Sequence, residues 1–147
     1  MNMNLDDLEF KVNDGGNNVD ITAIDPSASG FNIIGTASAN VHIRDDNTNK
    51  MVWWISRIKL FPNVPTGNGI GSMLLEKLKN EMRKRDCCLI VCPGGYAENR
   101  DEQFNFYIKN GFEYIDNDKY ALEWDPNWKH RISNIPNQKR LKLLTGE

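Results

Sequence analysis

Apolar and polar residues alternate along the first part of the chain, as they do in strands that bury one face. Leu8 to Val12 and Val19 to Ile24 follow this pattern on either side of Asp14-Gly15-Gly16-Asn17, a strong turn signal. We therefore expect a hairpin. Two longer runs rich in apolar and β-branched residues, Phe31 to Ile43 and Met51 to Phe61, predict a third and a fourth strand. Residues 1–61 are therefore predicted to form an antiparallel meander.

The periodicity becomes helical at Ile70. The apolar residues at helical spacing are Ile70, Leu74, Leu75, Leu78 and Met82. The i,i+4 charge pairs Lys77/Glu81 and Glu81/Arg85 are expected on the exposed side of this helix. Cys87 to Cys92 is apolar throughout, as in a strand covered on both faces. A strand, a glycine-rich turn, a helix and a second buried strand form a βαβ unit, so we expect the two strands to be parallel.

A second helix and two short strands are predicted after Pro93-Gly94-Gly95. Asn99 or Asp101 can cap this helix, and Gly111 ends it. Its inward face is expected to carry Phe104, Tyr107 and Ile108. Short strands are predicted at Phe112 to Ile115 and Tyr120 to Trp124. The fold class is therefore mixed α/β, with about seven strands and two main helices.

Composition fits one soluble domain. The chain has 147 residues, of which 39% are hydrophobic and 26% charged, and we expect a single domain at 1–124 followed by a basic tail at 125–147. No apolar run approaches the ~20 residues that cross a bilayer, and the N-terminal residues do not resemble a secretory signal. A net charge of −2 disfavours a nucleic-acid binder, and the tail is interpreted as solvated.

The cysteines indicate a reducing, cytoplasmic setting. Cys87, Cys88 and Cys92 fall in one apolar run, which suits buried, reduced thiols better than a disulfide framework. Neither these cysteines nor the histidines, His42 and His130, show the close spacing of a metal site. No metal is therefore expected.

The glycine-rich segment Thr66-Gly67-Asn68-Gly69-Ile70-Gly71 lies between a predicted strand and a predicted helix. This arrangement directs backbone N–H groups towards one point and attracts anions, although a plain helix-capping turn has the same pattern. A nucleoside-triphosphate loop would need a lysine, which Ile70-Gly71-Ser72 lacks. A dinucleotide fold would carry the glycines after its first strand, not after a meander.

These residues resemble the signature of the GCN5-related N-acetyltransferase superfamily, Gln/Arg-x-x-Gly-x-Gly/Ala after the fourth strand. Residues 66–71 match both glycines, Ile33-Ile34-Gly35-Thr36-Ala37 resembles the third strand, and Tyr107 to Phe112 is similar to Tyr-x-x-x-Gly-Phe. The resemblance covers residues 17–124. Thr66 stands where the family has Gln or Arg, and residues 13–18 stand where it usually inserts two helices.

The resemblance implies an acetyl-CoA-dependent N-acyltransferase. Tyr107 aligns with a general acid that protonates the CoA sulfur, and a backbone N–H near Leu60 or Phe61 aligns with the donor to the thioester carbonyl. The pantetheine arm would lie in a slot bordered by residues 60–64 and 91–93. The implied cofactor-binding residues are Leu60, Phe61, Val64, Thr66, Gly67, Asn68, Gly69, Ile70, Gly71, Ser72, Asn99 and Arg100.

The acceptor remains open at this point. An amine of a protein or a small molecule fits the family, and the missing helices imply either an open acceptor site or a wall supplied by another chain, as in a homodimer. No general base stands out; the candidates are His42, Asp45, Asp46, Glu98, Asp101 and Glu102. The alternatives are a binding module that has lost catalysis and, less favoured, an enzyme that modifies nucleic acid through the basic tail.

Overall fold

A computed structural model describes residues 5–28, 30, 32–43, 51–62, 64, 69–93, 100–115 and 121–127. A 3-10 helix at Leu5–Asp7 precedes the regular elements. In chain order these are β1 (Glu9–Asp14), β2 (Asn18–Ile24), β3 (Ile33–Ile43), β4 (Met51–Leu60), α1 (Ile70–Arg85), β5 (Cys88–Val91), α2 (Arg100–Lys109), β6 (Glu113–Tyr114) and β7 (Leu122–Trp124).

The strands form one seven-stranded mixed sheet in the order β1-β2-β3-β4-β5-β7-β6. β1 pairs antiparallel with β2, and β2 with β3, while β4 and β5 are parallel. β7 pairs antiparallel with both β5 and β6. The predicted hairpin, the parallel strand pair and the mixed α/β class are therefore confirmed.

The chain forms two compact units. The first comprises the described residues of Met1–Asn40 and Ile55–Lys84, and the second those of Val41–Trp54 and Arg85–Glu147. The first unit thus contains the β1–β2 hairpin, the end of β4 and most of α1. The second contains β5, α2, β6 and β7.

A two-residue turn closes the β1–β2 hairpin. The Gly15 N–H donates to the Asn18 carbonyl at 2.8 Å, and Gly16 takes a φ of 87° at the first central position, as a type II′ turn requires. The Asp14 carboxylate accepts a bond from the Gly16 N–H at 2.9 Å. The hairpin therefore connects β1 directly to β2 without an intervening helix.

The core of the first unit lies between one face of the sheet and α1. Alternate residues of β2 are buried, as the sequence pattern predicts. The apolar stripe of α1 is buried too, with Ile70 at 1% exposure and Leu74, Leu75, Leu78 and Met82 at 0%. The helix predicted from this spacing is confirmed.

The exposed face predicted for α1 is wrong at Glu81. Its side chain is buried, and its carboxylate forms an ion pair with the Lys84 ammonium at 2.8 Å. Lys79 is also buried, and burial lowers its pKa. The helix is therefore covered over more of its circumference than the apolar stripe indicates.

In the second unit, β5 is buried on both faces. Val52, Ile90, Ile115 and Ala121 form one apolar cluster, against which Trp54 packs. The strand is shorter than predicted, because Cys87 precedes it and Cys92 follows it. All three cysteines are free; Cys87 and Cys88 are buried, whereas the prediction of burial is wrong for Cys92, which is exposed.

α2 buries only part of its predicted inward face. Phe104 and Tyr107 are buried, but Ile108 is 42% exposed, so its assignment to the core is wrong. On the helix, Ile108 lies about 40° from Phe104 and about 100° from Tyr107, so it falls at the edge of the buried stripe rather than at its centre. The helix begins at Arg100, so Asp101 lies in its first turn and is not the cap. Among the described residues, no helix is long and apolar enough to cross a bilayer.

Gly35 is a point of close approach in the first unit. A Cβ built on Gly35 would lie 2.9 Å from Leu60 Cδ2, 3.1 Å from the Lys59 carbonyl oxygen and 3.2 Å from Leu74 Cδ1. The end of β4 and the start of α1 therefore approach β3 where it has no side chain. This contact fixes where the chain leaves β4 and where α1 begins.

Replacing Gly35 with alanine is predicted to destabilise the protein. Overpacking costs about 1–3 kcal/mol, which exceeds the roughly 0.5–1 kcal/mol gained by removing a strand glycine. Urea unfolding measures the change in the free energy of unfolding. Asn40→Ala, at an exposed position of the same strand, is the control and should change little. A Gly35→Ala protein as stable as the wild type would contradict the close approach.

Candidate functional site

The N-terminus of α1 has a glycine as its N-cap. The Gly69 carbonyl accepts the first helical bond, from the Met73 N–H at 3.0 Å, and Gly69 has a φ of 81°. A Cβ at Gly69 would lie 3.3 Å from Leu5 Cδ1 in this left-handed conformation. Glycine is thus favoured here by backbone conformation, as predicted for this segment from the sequence.

The first turn of α1 has the partial positive charge that is typical of a helix N-terminus. It contains no acidic residue, and helix geometry provides no internal acceptor for the N–H groups of Ile70, Gly71 and Ser72. The helix dipole adds partial positive charge at the same place. Such a turn favours an anion such as a phosphate.

The end of β4 belongs to the same unit. The Phe61 N–H donates to the Ile34 carbonyl at 2.9 Å, and the Phe61 carbonyl accepts a bond from the Val64 N–H at 3.2 Å. Of the two backbone donors considered for a thioester carbonyl, Phe61 is thus already engaged within the sheet. The Leu60 N–H is the other of the two candidates.

Part of the predicted site lies outside the described residues. Thr66, Gly67, Asn68 and Asn99 belong to that part of the chain, and Arg100 is described only by its backbone, as the first residue of α2. The structure therefore groups Gly69, Ile70, Gly71 and Ser72 at the start of α1, and Leu60, Phe61 and Val64 at the end of β4.

Tyr107 lies in the last turn of α2, in a Schellman motif. Gly111, with a φ of 91°, donates to the Ile108 carbonyl at 3.1 Å, and the Phe112 N–H donates to the Tyr107 carbonyl at 3.0 Å. The rings of Tyr107 and Phe112 meet edge to face, with centroids 5.3 Å apart. This is the apolar contact that commonly accompanies such a motif.

The Tyr-x-x-x-Gly-Phe pattern thus has a complete structural explanation. Tyrosine and phenylalanine supply the two rings, and glycine supplies the left-handed residue between them. The prediction that Gly111 ends the helix is confirmed, whereas the role of Tyr107 and Phe112 in the same cap was not predicted. The spacing of Gly111 and Phe112 after an apolar helical residue was the signal that could have revealed it.

Burial raises the pKa of Tyr107 to about 12. The phenol therefore remains protonated throughout the neutral range and can donate a hydrogen bond or a proton. The same burial makes it a weaker acid than an exposed tyrosine. Tyr107 belongs to the second unit, together with all of α2.

The structure singles out none of the candidates for a general base. Asp101 and Glu102 are exposed in the first turn of α2. Asp45, Asp46 and Glu98 lie outside the described residues, and the His42 side chain is not described. Within the described part of the chain, no three His, Cys, Asp or Glu side chains form a group that could hold a metal ion.

Trp53 and Trp54 differ in their surroundings, as expected for neighbours on a strand. Trp53 is 2% exposed, and the Arg85 guanidinium lies 5.3 Å from the centroid of its ring. Trp54 is half-buried against the cluster around Ile90. The deeply buried tryptophan is therefore Trp53.

Comparison with known proteins identifies the class of fold. No family model matches the chain, and no curated protein matches it either. Solved structures do match, and they show that the chain has the fold of the GCN5-related N-acetyltransferases. Their sequence identities are low, so the likeness establishes the fold alone.

Three of these structures illustrate the range. The NatC complex bound to Gag peptide and CoA matches with a TM-score of 0.60 and 14% identity over 74% of this chain and 71% of that one. Arabidopsis thaliana NAA60 in complex with acetyl-CoA matches with a TM-score of 0.58 and 15% identity over 78% of this chain and 79% of that one. A third match is a GCN5-related glucosamine N-acetyltransferase region of a fungal multi-domain GH3 beta-N-acetylglucosaminidase. Its TM-score is 0.54, and the identity is 20% over 69% of this chain. This chain spans only 12% of that protein.

Tyr107 is predicted to make stability depend on pH above about pH 10. Its pKa in the folded protein is about 12, above the value of about 10 expected in the unfolded chain. The unfolded state therefore loses the proton first, so this contribution is fully present below pH 10 and is lost as the pH rises towards 12. Tyr107→Phe should remove it. Urea unfolding of both proteins across this range measures the difference, and parallel stability curves would contradict a buried phenol.

Proposed function

We propose that the chain is an N-acyltransferase that moves an acetyl group from acetyl-CoA to a primary amine of a protein or small molecule. The observation that carries the proposal is the glycine-capped N-terminus of α1, which follows β4 in a sheet of the acetyltransferase order. Fold likeness to NAA60 in complex with acetyl-CoA supports the choice of co-substrate.

The pyrophosphate of CoA would be bound by backbone N–H groups in the first turn of α1. Gly69 and Gly71 allow close approach, and the absence of an acidic residue leaves the dipole uncompensated there. Thr66, Gly67 and Asn68 would extend the same cradle towards β4. Since Thr66 lacks the positive charge or amide of the family residue, the backbone would supply most donors.

The acyl transfer would be direct. The neutral amine attacks the thioester carbonyl, whose developing negative charge the Leu60 N–H would stabilise, and the carbon–sulfur bond then breaks. The departing thiolate takes a proton, for which Tyr107 is the proposed donor. The nitrogen must lose a proton as well, to a base or a water chain, because an amine with a pKa near about 10.4 is mostly charged at neutral pH.

The end of β4 is the part of the first unit that we assign to the pantetheine arm, as the family resemblance implies. The parallel register joins Val52 to Cys88, Trp53 to Leu89 and Trp54 to Ile90, and β4 then continues to Leu60. In the family the two strands separate beyond such a register and leave room for the arm. Val64, Asn99 and Arg100 are the further residues that we assign to it.

A second candidate is a binding module without catalysis, and a specific observation favours it. The Schellman motif explains Tyr107, Gly111 and Phe112 without any chemistry, and burial makes the Tyr107 phenol a weak acid. Both candidates bind CoA, so binding cannot separate them. Release of free CoA thiol from acetyl-CoA in the presence of an amine panel does.

Acetyl-CoA is predicted to raise the melting temperature through the α1 site. A ligand that binds the native state alone adds about 2.7 kcal/mol at a concentration of 100 times Kd. Gly71→Val should reduce this shift because its side chain would occupy the approach to the first turn. Asn80→Val, at an exposed position of the same helix, introduces the same side chain and should leave the shift intact. A wild-type protein insensitive to millimolar acetyl-CoA would refute the co-substrate.

Tyr107→Phe is predicted to slow thiol release by ~10²–10⁴-fold, the usual contribution of a general acid. The ring and its contact with Phe112 remain, so the melting temperature and the Kd for CoA should change little. Tyr107→Ala is the structural counterpart and should chiefly destabilise α2. The measurement is kcat for both variants. Full turnover by Tyr107→Phe would remove the hydroxyl from the mechanism, and no turnover by the wild type with any amine would favour the binding module.

A further inference from the structure

Among the described strands, β1 has a neighbour on one side only. In the described sheet β1 is the first strand, with β2 as its neighbour, and its residues are exposed except for the half-buried Phe10. Val12 is 45% exposed, one of two large apolar side chains at such exposure among the described residues. The opposite edge is β6, which has only two residues. Short edge strands resist pairing, and β1, with six residues and no proline, is the longer of the two edges of the described sheet.

The hairpin fixes which backbone groups face outwards. Gly15 and Asn18 form a hydrogen-bonded pair, and such pairs alternate along an antiparallel ladder. The continuous register from Asp14↔Val19 to Glu9↔Ile24 therefore turns the N–H and C=O groups of Glu9, Lys11 and Asn13 towards β2. Those of Phe10 and Val12 point away from the sheet, towards any strand that is added at this edge.

Charge distinguishes the ways in which two copies of β1 can pair antiparallel about a two-fold axis. An axis at Lys11 places two lysines opposite each other. An axis at Val12 places Lys11 opposite Asn13 and leaves Glu9 opposite Gly15. An axis at Phe10 places Glu9 opposite the partner copy's lysine and the two phenylalanines opposite each other. This pairing ends where Leu8 lies opposite Val12, because the chain forms a 3-10 helix at Leu5–Asp7, and the acidic residues Asp6 and Asp14 lie beyond the paired residues.

We propose that the chain forms a homodimer in which the β1 edges of two copies pair antiparallel about a two-fold axis at Phe10, which continues the sheet across both copies. Glu9 and Lys11 are both exposed, and their backbone N–H and C=O groups point towards β2. Across the interface, Glu9 of one copy and Lys11 of the other would therefore form a close pair without backbone hydrogen bonds between them. The Phe10 backbone groups would bond to their symmetry mates, and the Val12 N–H would donate to the Leu8 carbonyl of the second copy.

Two features of the first unit suit this interface. The Lys77 ammonium lies 5.5 Å from the centroid of the Phe10 ring, which orients the ring on the α1 side of the strand. Val12 shares that side and would lose its exposure against Leu8 of the second copy. An interface about a two-fold axis uses the same edge of both copies, so the assembly closes at two chains rather than growing into a fibre.

The test is a charge exchange measured by sedimentation equilibrium at low salt. Glu9→Lys and Lys11→Glu each replace two attractive pairs by two repulsive ones and should raise the dimer dissociation constant by about tenfold or more. The double variant Glu9→Lys/Lys11→Glu restores opposite charges at every pair and should restore the wild-type constant. High salt should weaken the effect of both single variants.

Proline at position 12 tests the backbone pairing independently. Val12→Pro removes an outward N–H and leaves the ladder to β2 intact, so it should give a monomer with a near wild-type melting temperature. Val12→Ala keeps the N–H and should still dimerise. A wild-type protein that is monomeric at all concentrations, a double charge variant as weak as the single ones, or a dimeric and folded Val12→Pro would each overturn the proposal. None of these results depends on acyltransferase activity.

Discussion

The close packing around Gly35 determines where the backbone N–H groups in the first turn of α1 lie within the first unit. Leu60 at the end of β4 and Leu74 in the second turn of α1 both contact the position where a side chain would stand on β3. The chain must leave the sheet next to this contact and enter α1 one helical turn before Leu74. The first-turn N–H groups, which point out of the end of the helix, are therefore positioned by a packing contact on its side.

In the second unit, the backbone conformation of one residue affects the surroundings of Tyr107. The positive φ of Gly111 lets the chain reverse and bring Phe112 back onto Tyr107. The Tyr107 side chain is buried, and its burial raises the pKa of the phenol to about 12. The motif that ends the helix therefore positions one of the rings that pack against the tyrosine.

Sequence periodicity predicted the helices, the hairpin and the parallel pair because each depends on local spacing or on turn residues. It was wrong where tertiary packing decides. Glu81 and Ile108 lie at positions whose burial depends on neighbouring elements, and no pattern within one helix contains that information. Gly35 was noticed only as part of a resemblance, although a glycine inside a strand pattern is a known sign of close backbone approach.

The short β1–β2 connection also has a consequence for how the protein folds. A hairpin closed by a two-residue turn forms in about 1–10 μs, because its ends are already near each other in the chain. The parallel pairing of Val52 with Cys88 must instead wait for α1 and the loops around it to order. We therefore expect the hairpin to be among the earliest structures during synthesis, since its residues emerge from the ribosome before those of the other described strands. Its open edge would then exist before most of the core, at the stage when nascent chains of the same polysome are close enough to meet.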